Sequence, residues 1–322
     1  MEKSKKTNIM VGGQALIEGI MMRGPNKMAA VARKQDGELA VKEEDCPQLK
    51  EKYPVLGWVI IRGVVNLITS LKIGLGALTW SAEFYPEEEV EKPSRFDLWL
   101  EKNFKSVEKA VTGVAMVLAF VIAIGLFTVL PTLIGGWLGL ADSDWRNAVE
   151  TGIRLVIMVC YMVLVSRMKD IQRTFAYHGA EHKAIACHEA EAELTVENVK
   201  KYSRFHPRCG TSFLLMVVLI SMAAFLMAST IFPFLPWDHA FLRVVFRLSL
   251  LPFVVAVSYE VNRLVGKHDN RLTRILRAPG LAMQKLTTRE PDDGMIEVAI
   301  EALRRVIPAE EGAVESKDDA QG

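Results

Sequence analysis

Two histidines and a glutamate lie close together in the central part of the chain. His178 and His182 are four residues apart, and Glu181 directly precedes the second histidine. On an α-helix, this spacing places both imidazoles one turn apart on one face, where they can hold a single metal ion beside Glu181. The string matches the H-x-x-E-H pattern of inverted zinc proteases, although Gly179 weakens the helix that the geometry needs. It predicts a Zn2+ site, with Glu181 as the general base for a metal-bound water.

A catalytic zinc site needs a third protein ligand, and three candidates lie outside this string. His206 and Cys209 belong to the sequence HPRCG, in which proline and glycine first restrict and then release the backbone. Glu260 follows an apolar stretch, where ionisable residues usually face a bundle interior or a cavity. The alternative is a closed structural zinc site with the ligands His182, Cys187, His206 and Cys209, which would support no hydrolysis.

Other polar residues are predicted to support this site or to bind lipid. The candidates for supporting positions around the metal are His188, Glu189, Arg208, Glu18 and Arg23. Arg243 and Arg247 lie one turn apart in an apolar stretch and are candidates for binding a lipid phosphate, with anchoring at the membrane interface as the alternative.

The segments that must position these residues are sorted into apolar and polar blocks. The 322 residues include 39 Lys and Arg against 38 Asp and Glu, and this balance argues against a nucleic-acid partner. No charged residue occurs in 111–141 or in 209–237, and each stretch exceeds the ~20 residues that cross a bilayer. Residues 148–166 and 241–261 are weaker candidates. We therefore predict an all-α polytopic membrane protein with about four transmembrane helices. The lipid bilayer is one of its predicted partners.

The distribution of basic residues predicts the orientation of these helices. Cytoplasmic loops carry the excess of Lys and Arg, and residues 166–208 are rich in them, whereas the two short turns hold only Arg146. Both termini and the histidine-rich loop are therefore predicted to be cytoplasmic, in a multi-pass protein of the cytoplasmic membrane. Residues 55–80 carry a polar stripe on one face, which favours an interfacial helix over a full span.

The rest of the chain is predicted to be cytoplasmic. Asp36-Gly37 between two extended segments indicates a small β-hairpin near the N-terminus. The predicted divisions are an N-terminal segment with the hairpin at 1–54, an amphipathic interfacial or partly inserted helix at 55–80, a charged connector at 81–110, the transmembrane region at 111–261 with its loop at 167–211, a helical region at 262–307 and a disordered acidic tail at 308–322.

The sequence resembles a bacterial family of membrane proteins, the YqhQ-like proteins, which are labelled in places as predicted metal-dependent enzymes. The resemblance rests on the glycine-rich string 12–25, on YHGAEHK at 177–183, on HPRCGTSF at 206–213 and on TTREP at 287–291. It covers nearly the whole chain. It implies a membrane location and a metal-dependent activity suspected for the family, and it implies no particular substrate.

Two hypotheses of different classes follow. The first is a cytoplasmic-membrane enzyme that uses zinc to hydrolyse a peptide or lipid-linked substrate at the membrane interface. The second is a non-enzymatic adaptor or accessory subunit of protein-insertion or envelope-synthesis machinery, with a membrane-protein partner and a structural histidine cluster. The sequence leaves the oligomeric state open.

Overall fold

The computed structural model describes residues 11–46, 53–85, 107–139, 145–232, 239–268 and 270–307. The chain divides into two compact units. The first unit comprises residues 1–85, 165–213 and 259–322, and the second comprises residues 86–164 and 214–258. In chain order, the helices are α1 (Val59–Ala82), α2 (Val107–Ile124), α3 (Leu130–Trp137), α4 (Arg146–Val165), α5 (Lys169–Glu189), α6 (Val196–Lys200), α7 (Gly210–Ile231), α8 (Ala240–Lys267), α9 (Arg271–Thr287) and α10 (Asp293–Val306).

The first unit contains a four-stranded antiparallel sheet in the order β1-β2-β3-β4. The strands are β1 (Gly12–Leu16), β2 (Gly19–Arg23), β3 (Lys27–Arg33) and β4 (Leu39–Asp45). The hairpin of β3 and β4 confirms the one that Asp36-Gly37 predicts. The hairpin of β1 and β2 is not predicted, because its turn residues Ile17 and Glu18 are not typical of turns and Glu18 adopts a positive φ of 48°.

Alternation along the strands gives each face of the sheet its own core. Ile20, Met22 and Val31 are fully buried on the face that packs against α5 and α10. Leu16 and Met28 are buried on the other face, together with side chains of α1. Because successive strand residues point to opposite faces, the continuous apolar character of β2 and β3 reflects burial on both sides.

Helix α10 closes the first of these cores. The side chain of Asp292 caps it by accepting a hydrogen bond from the N–H of Met295 at 2.8 Å. Its apolar stripe includes Ile296, Ala299 and Leu303, each at most 1% exposed. The helix thereby packs on β2, β3 and α5, and it stabilises the position of α5 on the sheet.

Four helices of the described chain are long and apolar enough to cross a membrane. They are Val59–Ala82, Gly113–Trp137, Arg146–Val165 and Ala240–Gly266, and Phe213–Ala228 is a shorter apolar helix. The predicted fold class is confirmed: the chain is mostly helical, with candidate membrane-spanning helices and a small N-terminal antiparallel sheet.

Helix α1 is one of these four, although its polar stripe favours an interfacial helix in the sequence. In the structure, that stripe contacts protein. Arg62 pairs with Glu260, and Asn66 donates to the hydroxyl of Tyr259 at 2.8 Å. Polar groups that have protein partners lower the cost of placing a helix in hydrocarbon. The polar face of α1 is therefore compatible with a membrane-spanning position.

Candidate metal centre

Three residues with metal-binding side chains converge in the first unit. His178 and His182 lie one turn apart on α5, and their ring centroids are 4.3 Å apart. Cys209, directly before α7, places its Sγ 3.2 Å from Nε2 of His178. One ligand atom from each of the three lies within 4.8 Å of the others. Two imidazole nitrogens and a thiolate are ligand types that zinc accepts.

Backbone carbonyls hold both imidazoles in an orientation suited to metal binding. Nδ1 of His178 lies 2.8 Å from the carbonyl oxygen of Thr287, and Nδ1 of His182 lies 2.6 Å from that of Arg204. Because a carbonyl oxygen only accepts, each Nδ1 donates its proton and each Nε2 carries a lone pair. Burial lowers the pKa of His182 to about 3, which keeps this ring neutral near pH 7. Such a carbonyl contact is a common support of metal-binding histidines.

Gly179 allows this arrangement through close approach of the backbone. The carbonyl oxygen of Arg289 packs against α5 at this position, and a Cβ on residue 179 would overlap it. The N–H of Arg289 also donates to the carbonyl oxygen of Phe175 at 2.8 Å. Helix α5 runs unbroken across Gly179, because tertiary contacts override a propensity cost of about 1 kcal/mol. The glycine thus permits the approach of the segment that presents the Thr287 carbonyl to His178.

Glu181 is buried beside the three ligand candidates. Its carboxyl group accepts a hydrogen bond from the N–H of Gly13 on β1, and a Cβ on Gly13 would lie 2.8 Å from the carboxyl carbon. Its other oxygen, Oε2, has no hydrogen-bond partner among the described residues. Burial raises the pKa of Glu181 to about 7, and Cys209 adds to this effect, while His178 and the Gly13 N–H oppose it. A carboxyl group with this pKa can both accept and donate a proton near neutral pH.

His206 lies next to the group. Its ring centroid is 5.7 Å from that of His182, and its Nε2 lies 3.4 Å from a carboxylate oxygen of Glu189. Gln284 of α9 clamps the His206 backbone: its Oε1 accepts from the N–H at 2.8 Å, and its Nε2 donates to the carbonyl oxygen at 2.7 Å. Burial lowers the pKa of His206 to about 4. The group of ligand candidates in the described chain comprises His178, His182 and Cys209, and His206 borders it.

Two other ligand candidates lie elsewhere. Glu260 pairs with Arg62 of α1 and is not part of the group of potential ligands. Cys187 is buried in the core between α5 and α10, where its Sγ lies 3.6 Å from the carbonyl oxygen of Glu193. The described residues therefore do not bring together the closed four-ligand set that includes Cys187.

The predicted supporting residues have separate places. Glu189 pairs with Arg208 as well as with the His206 ring. Glu18 pairs with Arg173 on α5, whereas Arg23 reaches Ser70 of α1 at 3.5 Å. Half-buried His188 lies on the last turn of α5, and no side-chain contact joins it to the three ligand candidates in the described chain. Glu189 and Arg208 are thus the supporting candidates that lie against the site.

The arginine pair of α8 lies in the second unit. Arg243 donates to Asn147 at 2.8 Å and to Glu150 at 3.1 Å. Arg247 donates to the hydroxyl of Thr132 at 2.7 Å and also pairs with Glu150. Both predicted lipid-phosphate residues therefore contact the same buried carboxylate.

Several groups that position the site are not predicted from the sequence. Gly13 contacts Glu181 across a separation of 168 residues, and the carbonyls of Arg204 and Thr287 hold the histidines. Backbone donors and acceptors leave no signature in residue type or spacing. The available signal is the resemblance itself, since Gly13 and Thr287 lie within the strings that carry it.

Comparisons with known proteins agree with that resemblance. A family described as "Protein of unknown function (DUF1385)" matches residues 58–309. The "Uncharacterized protein YqhQ" of Bacillus subtilis (strain 168) is 33% identical over 316 residues, which cover 93% of this chain and 92% of that protein. No solved structure matches the chain. The protein described above, with its apolar helices and its cluster of histidine and cysteine, therefore belongs to the YqhQ-like DUF1385 family.

Proposed function

We propose that this protein binds one Zn2+ ion at His178, His182 and Cys209 and hydrolyses a peptide or lipid-linked substrate at the cytoplasmic face of the membrane. One observation carries the proposal: three ligand atoms lie within 4.8 Å of one another beside Glu181, whose buried Oε2 has no hydrogen-bond partner among the described residues. Catalytic zinc sites have three protein ligands and one open position, whereas structural sites are closed by four.

Glu181 would carry out the proton transfers of such a reaction. Zinc bound at this site would supply a Lewis acid that lowers the pKa of a coordinated water. Glu181 would take the proton from the attacking water and return it to the leaving group. Its position beside His178 and Cys209 suits both steps. The Gly13 N–H would hold one carboxyl oxygen and leave the other for the proton transfer.

A cavity of the first unit lies on the face of the sheet opposite to α5 and Glu181. It has a volume of about 310 Å³ and lies between the N-terminal sheet and α1. Gly13, whose N–H contacts Glu181, lines it together with Arg23 of β2 and Ser70 of α1. Because the sheet separates this cavity from Glu181, the cavity has no part in the proposed reaction.

Metal analysis of purified protein tests the binding step. We expect about one zinc per native chain and a large loss in His178→Ala, His182→Ala and Cys209→Ser. His188→Ala is the matched control, because this histidine lies on the same helix without contacting the group. Replacement of Zn2+ with Co2+ adds a spectroscopic test. A thiolate bound to Co2+ gives a charge-transfer band, and Cys209→Ser is expected to abolish this band. Negligible zinc in the native protein and in all variants would contradict the proposal.

Glu181→Gln separates an enzyme from an adaptor. This near-isosteric change keeps the metal ligands, so zinc content is expected to stay at the native level while catalysis falls by roughly 10²–10⁴-fold. The measurement incubates native and variant proteins with membranes from cells that lack the protein and identifies cleaved peptides and lipids by mass spectrometry. Products that appear equally with both proteins would rule out Glu181 as the base. A variant that supports normal growth would favour the adaptor.

A further inference from the structure

The second unit contains a cluster of buried charges that the metal centre does not involve. Glu150 of α4 is fully buried and accepts from three arginines: Arg146 at 2.9 Å, Arg243 at 3.1 Å, and Arg247. Buried charges are costly in a membrane and persist where they are paired or serve a function. Within the described residues, one carboxylate therefore offsets several guanidinium groups.

A further arginine lies one turn beyond Glu150 and pairs with no carboxylate in the described chain. Arg154 is 9% exposed. Its Nε donates to the carbonyl oxygen of Phe127 at 2.7 Å, and its Nη1 lies 3.4 Å from Oγ of Ser221. Phe127 lies in the π-helical segment Gly125–Val129, and Pro131, four residues after it, has no N–H for that carbonyl. These two contacts use two of the five guanidinium N–H donors, and the described residues accept no hydrogen bond from the others.

Arg154 lines a cavity of about 180 Å³. Since a water needs ~10–15 Å³, this space holds on the order of ten waters, enough for a small anionic group. Arg154, Arg247 and Ser221 form part of its polar lining. The apolar wall is formed by Val217, Val218, Met222, Leu248, Leu251 and Val254.

We propose that this cavity binds the phosphate group of an anionic lipid. Two guanidinium groups that line one cavity repel each other in a medium of low dielectric constant, and a phosphate between them would replace this repulsion with charge-assisted hydrogen bonds. The adjoining apolar wall accommodates the start of an acyl chain, which favours a lipid over free phosphate. The sequence predicts Arg243 and Arg247 as the lipid-phosphate pair, whereas the cavity combines Arg247 with Arg154. The proposal involves only the second unit and is independent of the zinc site.

The test measures lipid binding to the full-length, delipidated protein in a non-ionic detergent by native mass spectrometry. The three probes are phosphatidylglycerol, diacylglycerol with the same chains, and inorganic phosphate. We expect phosphatidylglycerol to bind, diacylglycerol not to bind, and millimolar phosphate not to displace the lipid. Equal binding of both lipids would overturn the assignment of an anion site, and displacement by phosphate would overturn its assignment to a lipid.

Two variants locate the site. Arg154→Gln removes the charge, and Val218→Trp fills the cavity while it leaves both arginines in place. Each is expected to weaken phosphatidylglycerol binding at least about tenfold, since a hydrogen bond to a charged group contributes ~1.5–3 kcal/mol. Arg263→Gln is the matched control, because this arginine of α8 does not line the cavity. Monodisperse elution verifies folding, and Val218→Trp decides the result if Arg154→Gln does not fold. Native affinity in the folded variants would overturn the proposal.

Discussion

Two buried glutamates on helices have opposite surroundings in this protein. Glu150 in the second unit is fully buried among guanidinium groups, and both of its oxygens accept charged donors. Glu181 in the first unit is 5% exposed, receives one backbone N–H, and leaves one oxygen without a partner. The first carboxylate has the surroundings of a fixed structural charge, and the second has those of a group that exchanges protons. Burial alone therefore does not identify a functional carboxylate; the donors around it do.

Removal of the paired carboxylate should have the largest effect on stability. Glu150→Leu leaves several buried arginines without their shared acceptor. We expect a loss of about 3–5 kcal/mol, the typical cost of breaking a buried ion pair from one side. Thermal unfolding of the purified protein in detergent measures this loss of stability. Glu181→Leu, which removes the other buried carboxylate, is the matched change. A Glu150→Leu protein that melts at the native temperature would contradict this contrast.

Gly179→Ala should disrupt the site by displacing the segment that supports His178. The added methyl group would overlap the carbonyl oxygen of Arg289, so this backbone must shift. Overpacking of this kind costs ~1–3 kcal/mol, and we expect zinc content to fall with it. Gly152→Ala, on α4, is the control, because a Cβ there contacts nothing within 4 Å. Native zinc content in Gly179→Ala would show that the close approach is dispensable.

The pH dependence of stability should differ between the zinc-free native protein and Glu181→Gln. The folded-state pKa of Glu181, about 7, is higher than its ordinary value of 4.5. The folded protein therefore binds this proton more tightly than the unfolded chain does, and the resulting stability is present at low pH and is lost as pH rises through about 7. Melting temperatures of both proteins between pH 4.5 and 8 measure the difference. Parallel curves would contradict the raised pKa.

The smallest effect is expected for an ion pair on the surface. Arg33 pairs with Glu297 at 3.0 Å, and their side chains are 30% and 55% exposed. Glu297→Gln should change the free energy of unfolding by less than about 1 kcal/mol, because solvent screens exposed pairs. Urea or thermal denaturation of Glu297→Gln and Glu150→Leu under the same conditions provides the comparison. Equal losses of stability in the two variants would mean that burial does not explain the contribution of the Glu150 ion pairs.

The sequence predicts the parts of this structure that depend on local pattern. The H-x-x-E-H spacing brings His178 and His182 onto one face, and Asp36-Gly37 identifies a hairpin, because both depend on residues within a few positions of each other. The contact between Gly13 and Glu181 depends on how the sheet docks on α5, which no local pattern encodes. The same limit applies to Glu260, whose partner Arg62 lies 198 residues away.

The carbonyl contacts of the two histidines have a consequence for protein synthesis. The acceptor for His178 is Thr287, 109 residues later in the chain, and the acceptor for His182 is Arg204, 22 residues later. A nascent chain thus displays the His178 imidazole long before the backbone that fixes its tautomer has left the ribosome, whereas the acceptor for His182 follows soon after it. The ordered arrangement forms only after α9 has been translated, so its formation marks a nearly complete chain.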